Sequence, residues 1–184
     1  LAELPREVQG FEKTEWLIID DGSKDKTVEV AKACGVDHII QHTHNQGLAK
    51  AFMTGLDACL KAGADVIINT DADNQYNAAD IPNLVKPILS GNAEFVIGER
   101  PIQAIEHFSP IKKFLQKLGS SVVRMASKTN IPDAPSGFRA ITRNVAQRLV
   151  VFSAYTYTLE TIIQAGQQNI AIISVPVGVN EDLR

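Results

Sequence analysis

Short apolar runs alternate with segments of helical spacing through residues 15–98, and that rhythm decides what the chain can fold into. The runs at 15–20 (E-W-L-I-I-D), 38–41 (H-I-I-Q), 65–70 (D-V-I-I-N-T) and 94–98 (E-F-V-I-G) have strand length and β-forming side chains. Between them, 24–33, 48–62 and 80–89 predict helices. In the second of these, Leu48, Phe52, Leu56 and Cys59 make one apolar stripe, with Lys50, Thr54, Asp57 and Lys61 opposite and Gly63 closing it. Pro82 fits the first turn of the third, and Pro87 is expected to kink it. Strand–helix alternation of this kind folds as an α/β sheet with right-handed crossovers. The unbroken apolar character of 65–70 suits a sheet covered on both faces. Ligands in such sheets bind beyond the carboxyl ends of the strands.

Past residue 100 the rhythm loosens. A loop at 101–109 leads to Pro110, which opens a helix to about 128. A proline-containing loop at 130–136 precedes a strand at 137–142. Helices at 144–149 and 157–165, a last strand at 170–175 and a polar tail complete the chain. Residues 1–14 read as a weak helix end and a polar loop. With 184 residues, 45% of them hydrophobic, the chain supports one domain with a real core.

Several function classes fall away. A net charge of −3 without a dense Lys/Arg stripe argues against a nucleic-acid partner. Cys34 and Cys59 are too few for a disulfide scaffold. His38, His42, His44 and His107 form no compact zinc pattern. Neither a dinucleotide fingerprint nor a phosphate-binding Walker loop is present, and no G-x-S-x-G elbow occurs. No run of 18 apolar residues is present to span a bilayer.

The polar clusters that remain sit at the ends of the predicted strands: Asp20-Asp21, Asp71–Asp73 and Glu99-Arg100. Asp71 and Asp73 are one residue apart just past a buried strand, so a turning chain can aim both carboxylates at one ion. Carboxylate oxygens are hard ligands that suit Mg²⁺ or Mn²⁺, and Asn74 and Gln75 add further oxygens. A solvated acidic loop is the alternative. Asp20-Asp21-Gly22-Ser23 offers a carboxylate for a base N–H or a ribose hydroxyl, or else a turn and helix cap. Arg100, Arg139 and Lys50 are candidate phosphate ligands, with surface solvation as the other reading. Tyr155, Tyr157 and Phe152 read as packing residues, and Glu160 as a helix-surface or wall residue.

Taken together, D-D-G-S at 20–23, N-Q-G at 45–47, D-A-D-N-Q at 71–75, G-E-R at 98–100 and S-G-F-R at 136–139 resemble the family-2 glycosyltransferases. The branch it most resembles is that of the polyprenyl/dolichyl-phosphate sugar synthases. The resemblance implies a GT-A fold, a Rossmann-like, mostly parallel sheet between helices in three α/β/α layers. It implies a single catalytic domain over 1–184, with 1–100 on the nucleotide-sugar side and 101–184 on the acceptor side. The implied activity is inverting transfer of a sugar from a UDP-, GDP- or dTDP-sugar to a lipid phosphate or glycan, assisted by Mg²⁺ or Mn²⁺. Asp21 then matches the nucleobase contact, with Asp20 beside it, and Asp71 the nucleotide side of the site. Asp73, with Gln75 nearby, matches the metal and diphosphate position. Arg100 and Arg139 match basic positions for the sugar donor's diphosphate or the acceptor phosphate, and Asp133 is the candidate base for a hydroxyl acceptor.

The implied location is the cytoplasm or the cytoplasmic face of a membrane, with peripheral association. Family members begin with a strand ending in a P-x-Y-N-E-type segment, whereas this sequence opens at Leu1-Ala2-Glu3-Leu4. A first strand outside the sequence is therefore expected, and with it unpaired sheet edges. Glu99 stands where serine is commoner, and 101–109 departs from the usual basic acceptor loop. A sugar-phosphate nucleotidyltransferase and an inactive nucleotide-binding module of the same fold are the competing readings.

Overall fold

Residues 1–101 and 124–180 are described by the computed structural model. Strand β1 (Leu17–Asp20) is followed by helix α1 (Thr27–Ala33), β2 (His38–Gln41), α2 (Leu48–Lys61) and β3 (Val66–Asn69). A 3₁₀ turn at Ala78–Asp80 runs into α3 (Ile81–Leu89), and β4 (Phe95–Glu99) comes next. Then follow β5 (Arg139–Thr142), α4 (Arg143–Arg148), α5 (Thr158–Gln167) and β6 (Ile172–Pro176). Of the helix expected over 110–128, residues 124–127 are helical, and the rest, like most of the 101–109 loop, lies outside the described residues.

The strands form two sheets among the described residues. β1 and β2 pair in parallel; the other sheet has the order β3-β5-β4-β6. In it β6 runs parallel to β4, while β5 runs antiparallel to both β3 and β4. Hydrophobic periodicity locates a strand but carries no information about its direction, so the reversed β5 is a structural finding. β1 and β3 each carry a ladder on one edge only among the described residues.

Helix α2 spans both sheets. Its Gly55 lies against Ile19 of β1, where an added Cβ would stand 3.5 Å from the Ile19 side chain. Its Phe52 and Leu56 pack with Ile67 of β3, Phe95 and Ile97 of β4, and Ile141 of β5. Leu48, expected in the same stripe, is instead 53% exposed. The helix C-terminus is tied to the start of α4, because Arg143 donates to the Ala64 and Leu60 carbonyls.

The central strand β4 shows why two layers of helix are needed. Phe95 and Ile97 point into the α2, α4 and α5 side; Val96 points into the α3 side with Leu84, Val85, Phe138 and Ala140. Side chains alternate with period two along a strand, so an unbroken apolar run requires cover on both faces. The first fourteen residues form turns rather than a helix end, and Val8 is buried in the α3-side cluster. Pro87 lies within α3, which nonetheless continues to Leu89. No helix among the described residues is long and apolar enough to cross a membrane.

Ile97 has no solvent exposure. Ile97→Ala is expected to cost ~2–5 kcal/mol of unfolding free energy, read as a lower urea midpoint at unchanged slope.

Candidate active site

The reversed direction of β5 builds the site. Asn69, the last residue of β3, stands opposite Arg139, the first of β5. The segment entering β5 therefore meets the segment leaving β3. Asp71 comes to rest on Gly137: a Cβ there would sit 2.7 Å from Asp71 Oδ2 and 2.9 Å from Oδ1. Any larger residue would displace the carboxylate. Gly137 is held from both sides, its N–H donating to the Tyr76 hydroxyl at 2.9 Å and its carbonyl accepting from Asn69 Nδ2 at 2.8 Å. A cleft of about 320 Å³ opens beside this contact, with Asp71, Gly137, Leu48, Pro135, Tyr157 and Leu159 on its walls.

Burial pushes the Asp71 carboxyl above the usual range, and repulsion from Asp73 adds to it; Arg100 and Arg139 offset part of the effect. Asp73 is exposed, and its Oδ1 accepts from Gln75 N–H at 3.1 Å. Asp71 thus lines the cleft, with a second carboxylate close enough to repel its charge. Among the described residues no group of three His, Cys, Asp or Glu side chains converges on a metal position. Two carboxylates suit an ion that keeps waters and takes phosphate oxygens to complete its shell, as Mg²⁺ and Mn²⁺ do. Gln75 does not join them. Its side-chain oxygen accepts from Arg100 Nη1 at 3.3 Å, and a guanidinium at that oxygen opposes a second cation there.

The acidic loop is fastened from the far end of the chain. Asn180 Nδ2 donates to the Asn74 and Tyr76 carbonyls, and its N–H to the Gln75 carbonyl. Gly178 N–H donates to Asp80 Oδ2 at 2.7 Å. Asn74 is held at φ 60°, a left-handed conformation that asparagine tolerates better than most residues. Sequence periodicity assigned 176–180 to a tail; the signal that marks it as a clasp is tertiary.

Asp21 organises the other wall. Its carboxylate accepts the N–H groups of Gln46 (2.9 Å) and Gly47 (2.8 Å) and lies 2.7 Å from His42 Nδ1. Burial works against ionisation, but these bonds hold Asp21 below the usual carboxylate range. Gly22 makes the turn at φ 84°, where a Cβ would strike the His44–Asn45 backbone at 2.7 Å. The loop so anchored delivers Leu48 to the cleft. Asp20 is buried, its Oδ1 accepting from Ser23 N–H at 3.2 Å, and its Oδ2 has no partner among the described residues. Lys50 is exposed on the first turn of α2.

Two expected roles do not fit the geometry. Arg139 is fully buried and cannot reach a phosphate in solution. It donates to the Ser136, Ala134 and Thr158 carbonyls and to Thr161 Oγ1, and burial lowers its pKa to about 10. Asp133 is buried and takes Arg100 bidentately, Nε at 2.8 Å and Nη2 at 2.9 Å, so it is not placed as a base for an acceptor hydroxyl. Arg100 lies at the strand-end edge with its charge already met by Asp133. Glu99 turns away to Ser174 Oγ on β6, 3.0 Å distant. Glu160 accepts from Phe152 and Ser153 N–H, which pins the loop between α4 and α5.

Sequence reasoning missed Asn69 and treated Tyr157 as packing alone. Asn69 was visible as a polar residue ending an apolar run, two positions before Asp71.

Comparison with known proteins bears on this arrangement. The family model described as Glycosyl transferase family 2 matches residues 6–150. The UDP-N-acetylglucosamine–dolichyl-phosphate N-acetylglucosaminyltransferase of Methanococcus voltae is 28% identical over 183 residues, covering 88% of this chain and 72% of the relative. The polyprenol monophosphomannose synthase of Mycolicibacterium smegmatis is 25% identical over 176 residues, covering 90% and 66%. Among solved structures, glucosyl-3-phosphoglycerate synthase from Mycobacterium tuberculosis, in complex with Mn²⁺, UDP-glucose and phosphoglyceric acid, superposes with a TM-score of 0.71 at 20% identity. That match covers 91% of this chain and 60% of the solved one. At such identity the likeness speaks to the fold, which is the expected GT-A arrangement.

Two outcomes test the electrostatics without substrate. An acid whose pKa is raised by folding weakens the fold once the pH passes its unfolded value, because it ionises more easily in the unfolded chain. Asp71→Asn should therefore raise the melting temperature at pH 7 in metal-free buffer, by about 2 °C. The gain should vanish as the pH falls below the ordinary carboxylate range. Arg139→Met should do the opposite, leaving several buried carbonyls without donors and lowering stability by about 3 kcal/mol or more in denaturant titrations.

Proposed function

This chain belongs to glycosyl transferase family 2, and from that premise we propose that it transfers a sugar from a nucleotide-sugar to the phosphate of a polyprenyl or dolichyl lipid. The observation that carries the reading is the Asp71–Asp73 pair, a partly buried carboxylate on the wall of a cleft and a second one close enough to repel it. Carboxylates crowded in this way are stabilised by a cation, and a cation held there attracts a diphosphate. Asp71 and Asp73 would hold Mg²⁺ or Mn²⁺, which when bound neutralises charge on the departing nucleoside diphosphate. The dolichyl- and polyprenol-phosphate relatives support a lipid-phosphate acceptor.

The residues of the chain divide the remaining work. Asp21 and the loop it ties down shape the wall for the nucleoside, and Gly137 sets the position of Asp71. Arg100 offers cationic charge at the strand-end edge, with Asp133 fixing its direction. In the transfer, an acceptor phosphate oxygen bonds to the anomeric carbon as the carbon–oxygen bond to the nucleoside diphosphate breaks. Attack from the opposite face inverts the centre. The attacking oxygen is already anionic, so no proton has to be removed by the protein. The engagement of Asp133 with Arg100 accords with an acceptor of this kind. A lipid acceptor places the reaction at a membrane surface.

Calorimetry with UDP-, GDP- and dTDP-sugars, each with Mn²⁺, Mg²⁺ or chelator, tests the proposal. Binding of one sugar donor only with metal, weakened at least ~10-fold by Asp71→Asn or Asp73→Asn, is expected, as is incorporation of its labelled sugar into a prenyl phosphate. Indifference to every such donor with either ion would sink the reading.

A further inference from the structure

Tyr157 sits at the N-terminus of α5, 2% exposed, its ring stacked on Phe52 at 3.8 Å between centroids and 4° between planes. Packing accounts for the ring and leaves the hydroxyl unexplained. The geometry around Asn69 settles what that hydroxyl is doing. Asn69 Nδ2 lies 2.8 Å from the Gly137 carbonyl oxygen, which can only accept, so the nitrogen end of the amide is fixed there. The same nitrogen lies 2.8 Å from the Tyr157 oxygen. Tyr157 is therefore the acceptor in that bond, and its own proton is not used in it. No acceptor for that proton is found among the described residues, and Tyr157 shares the cleft wall with Asp71 and Gly137. Buried hydroxyl donors are normally spent on a partner.

We propose that Tyr157 is a substrate-contacting residue whose hydroxyl donates a hydrogen bond to a phosphate oxygen of the bound substrate. This rests on the glycosyltransferase reading above and adds to it a residue for the phosphate. A hydroxyl on the cleft wall that accepts from Asn69 and keeps its proton unspent matches a purely accepting oxygen. The Arg139 guanidinium, 5.3 Å from the Tyr157 ring, adds a positive field behind it. Asp71 opposes an anion in the same cleft until a cation screens it. Burial pushes the Tyr157 pKa up to about 12, so the group remains a proton donor across the neutral range. The phosphate belongs either to the sugar donor's diphosphate or to the acceptor.

Tyr157→Phe isolates the hydroxyl: the ring, its stack on Phe52 and the Asn69–Gly137 bond all remain. The full chain and its variant are compared in transfer from a nucleotide-sugar to a short-chain prenyl phosphate. They are also titrated with UDP plus Mn²⁺, and separately with the prenyl phosphate. The variant gives up the Asn69–Tyr157 bond and is expected to melt a few degrees below the wild type when no ligand is present, while losing about 10- to 100-fold in kcat/KM. Weakened UDP binding with unchanged prenyl-phosphate binding assigns the contact to the sugar donor; the reverse assigns it to the acceptor. Unchanged kcat/KM and unchanged binding in both titrations overturn the role of Tyr157 while leaving the transferase reading intact. A wild-type protein that binds neither ligand overturns both.

Discussion

The contact between the Asp71 carboxylate and the α-carbon of Gly137 is the constraint around which the site is arranged. It joins a strand that leaves the sheet to one that enters it, and only the antiparallel setting of β5 allows the two to meet. Holding Asp71 there is unfavourable in itself, since the position is partly buried and Asp73 is near. The chain tolerates it because the backbone on each side is bonded elsewhere: Gly137 to Tyr76 and Asn69, the acidic loop to Asn180.

Three arginines show how little a residue type says about its task. Arg143 holds the end of α2 to the start of α4 through two carbonyls. Arg139 lies in the core, fully enclosed, with carbonyls and a threonine hydroxyl around it and two aromatic rings nearby. Arg100 stands at the strand-end edge against Asp133. Desolvating a guanidinium is costly unless its donors are met, and at position 139 they are met by the loop that leads into β5 and by the first turn of α5. There the arginine shapes the turn carrying Gly137 rather than touching a ligand itself.

The alternation of apolar runs and amphipathic stretches made the first half legible: β2 falls on the predicted residues, and the other strands and helices there lie within a few residues of expectation. The acidic pair at the end of β3 was equally readable, because a carboxylate cluster after an apolar run stands out in composition alone. Strand direction left no trace in the pattern, so the approach of Gly137 to Asp71 could not be foreseen. Arg139 misled because an arginine just past a proline-containing loop reads as a phosphate ligand, whereas the register with Asn69 places its side chain inside. Leu48 misled in the opposite sense, as an apolar residue at helical spacing that lines the cleft instead of the core. Single side chains at the ends of elements answer to their tertiary neighbours, and periodicity is silent about those.

The clasp made by Gly178 and Asn180 ties the geometry of the acidic loop to residues roughly a hundred positions later in the chain. During synthesis the carboxylate pair emerges long before its clasp does. The site therefore cannot mature progressively with the growing sheet; it acquires its final shape only after β6 has docked and the chain beyond it has turned back. Nascent chains would carry the acidic motif in a loosely held form until residues 178–180 have closed on it.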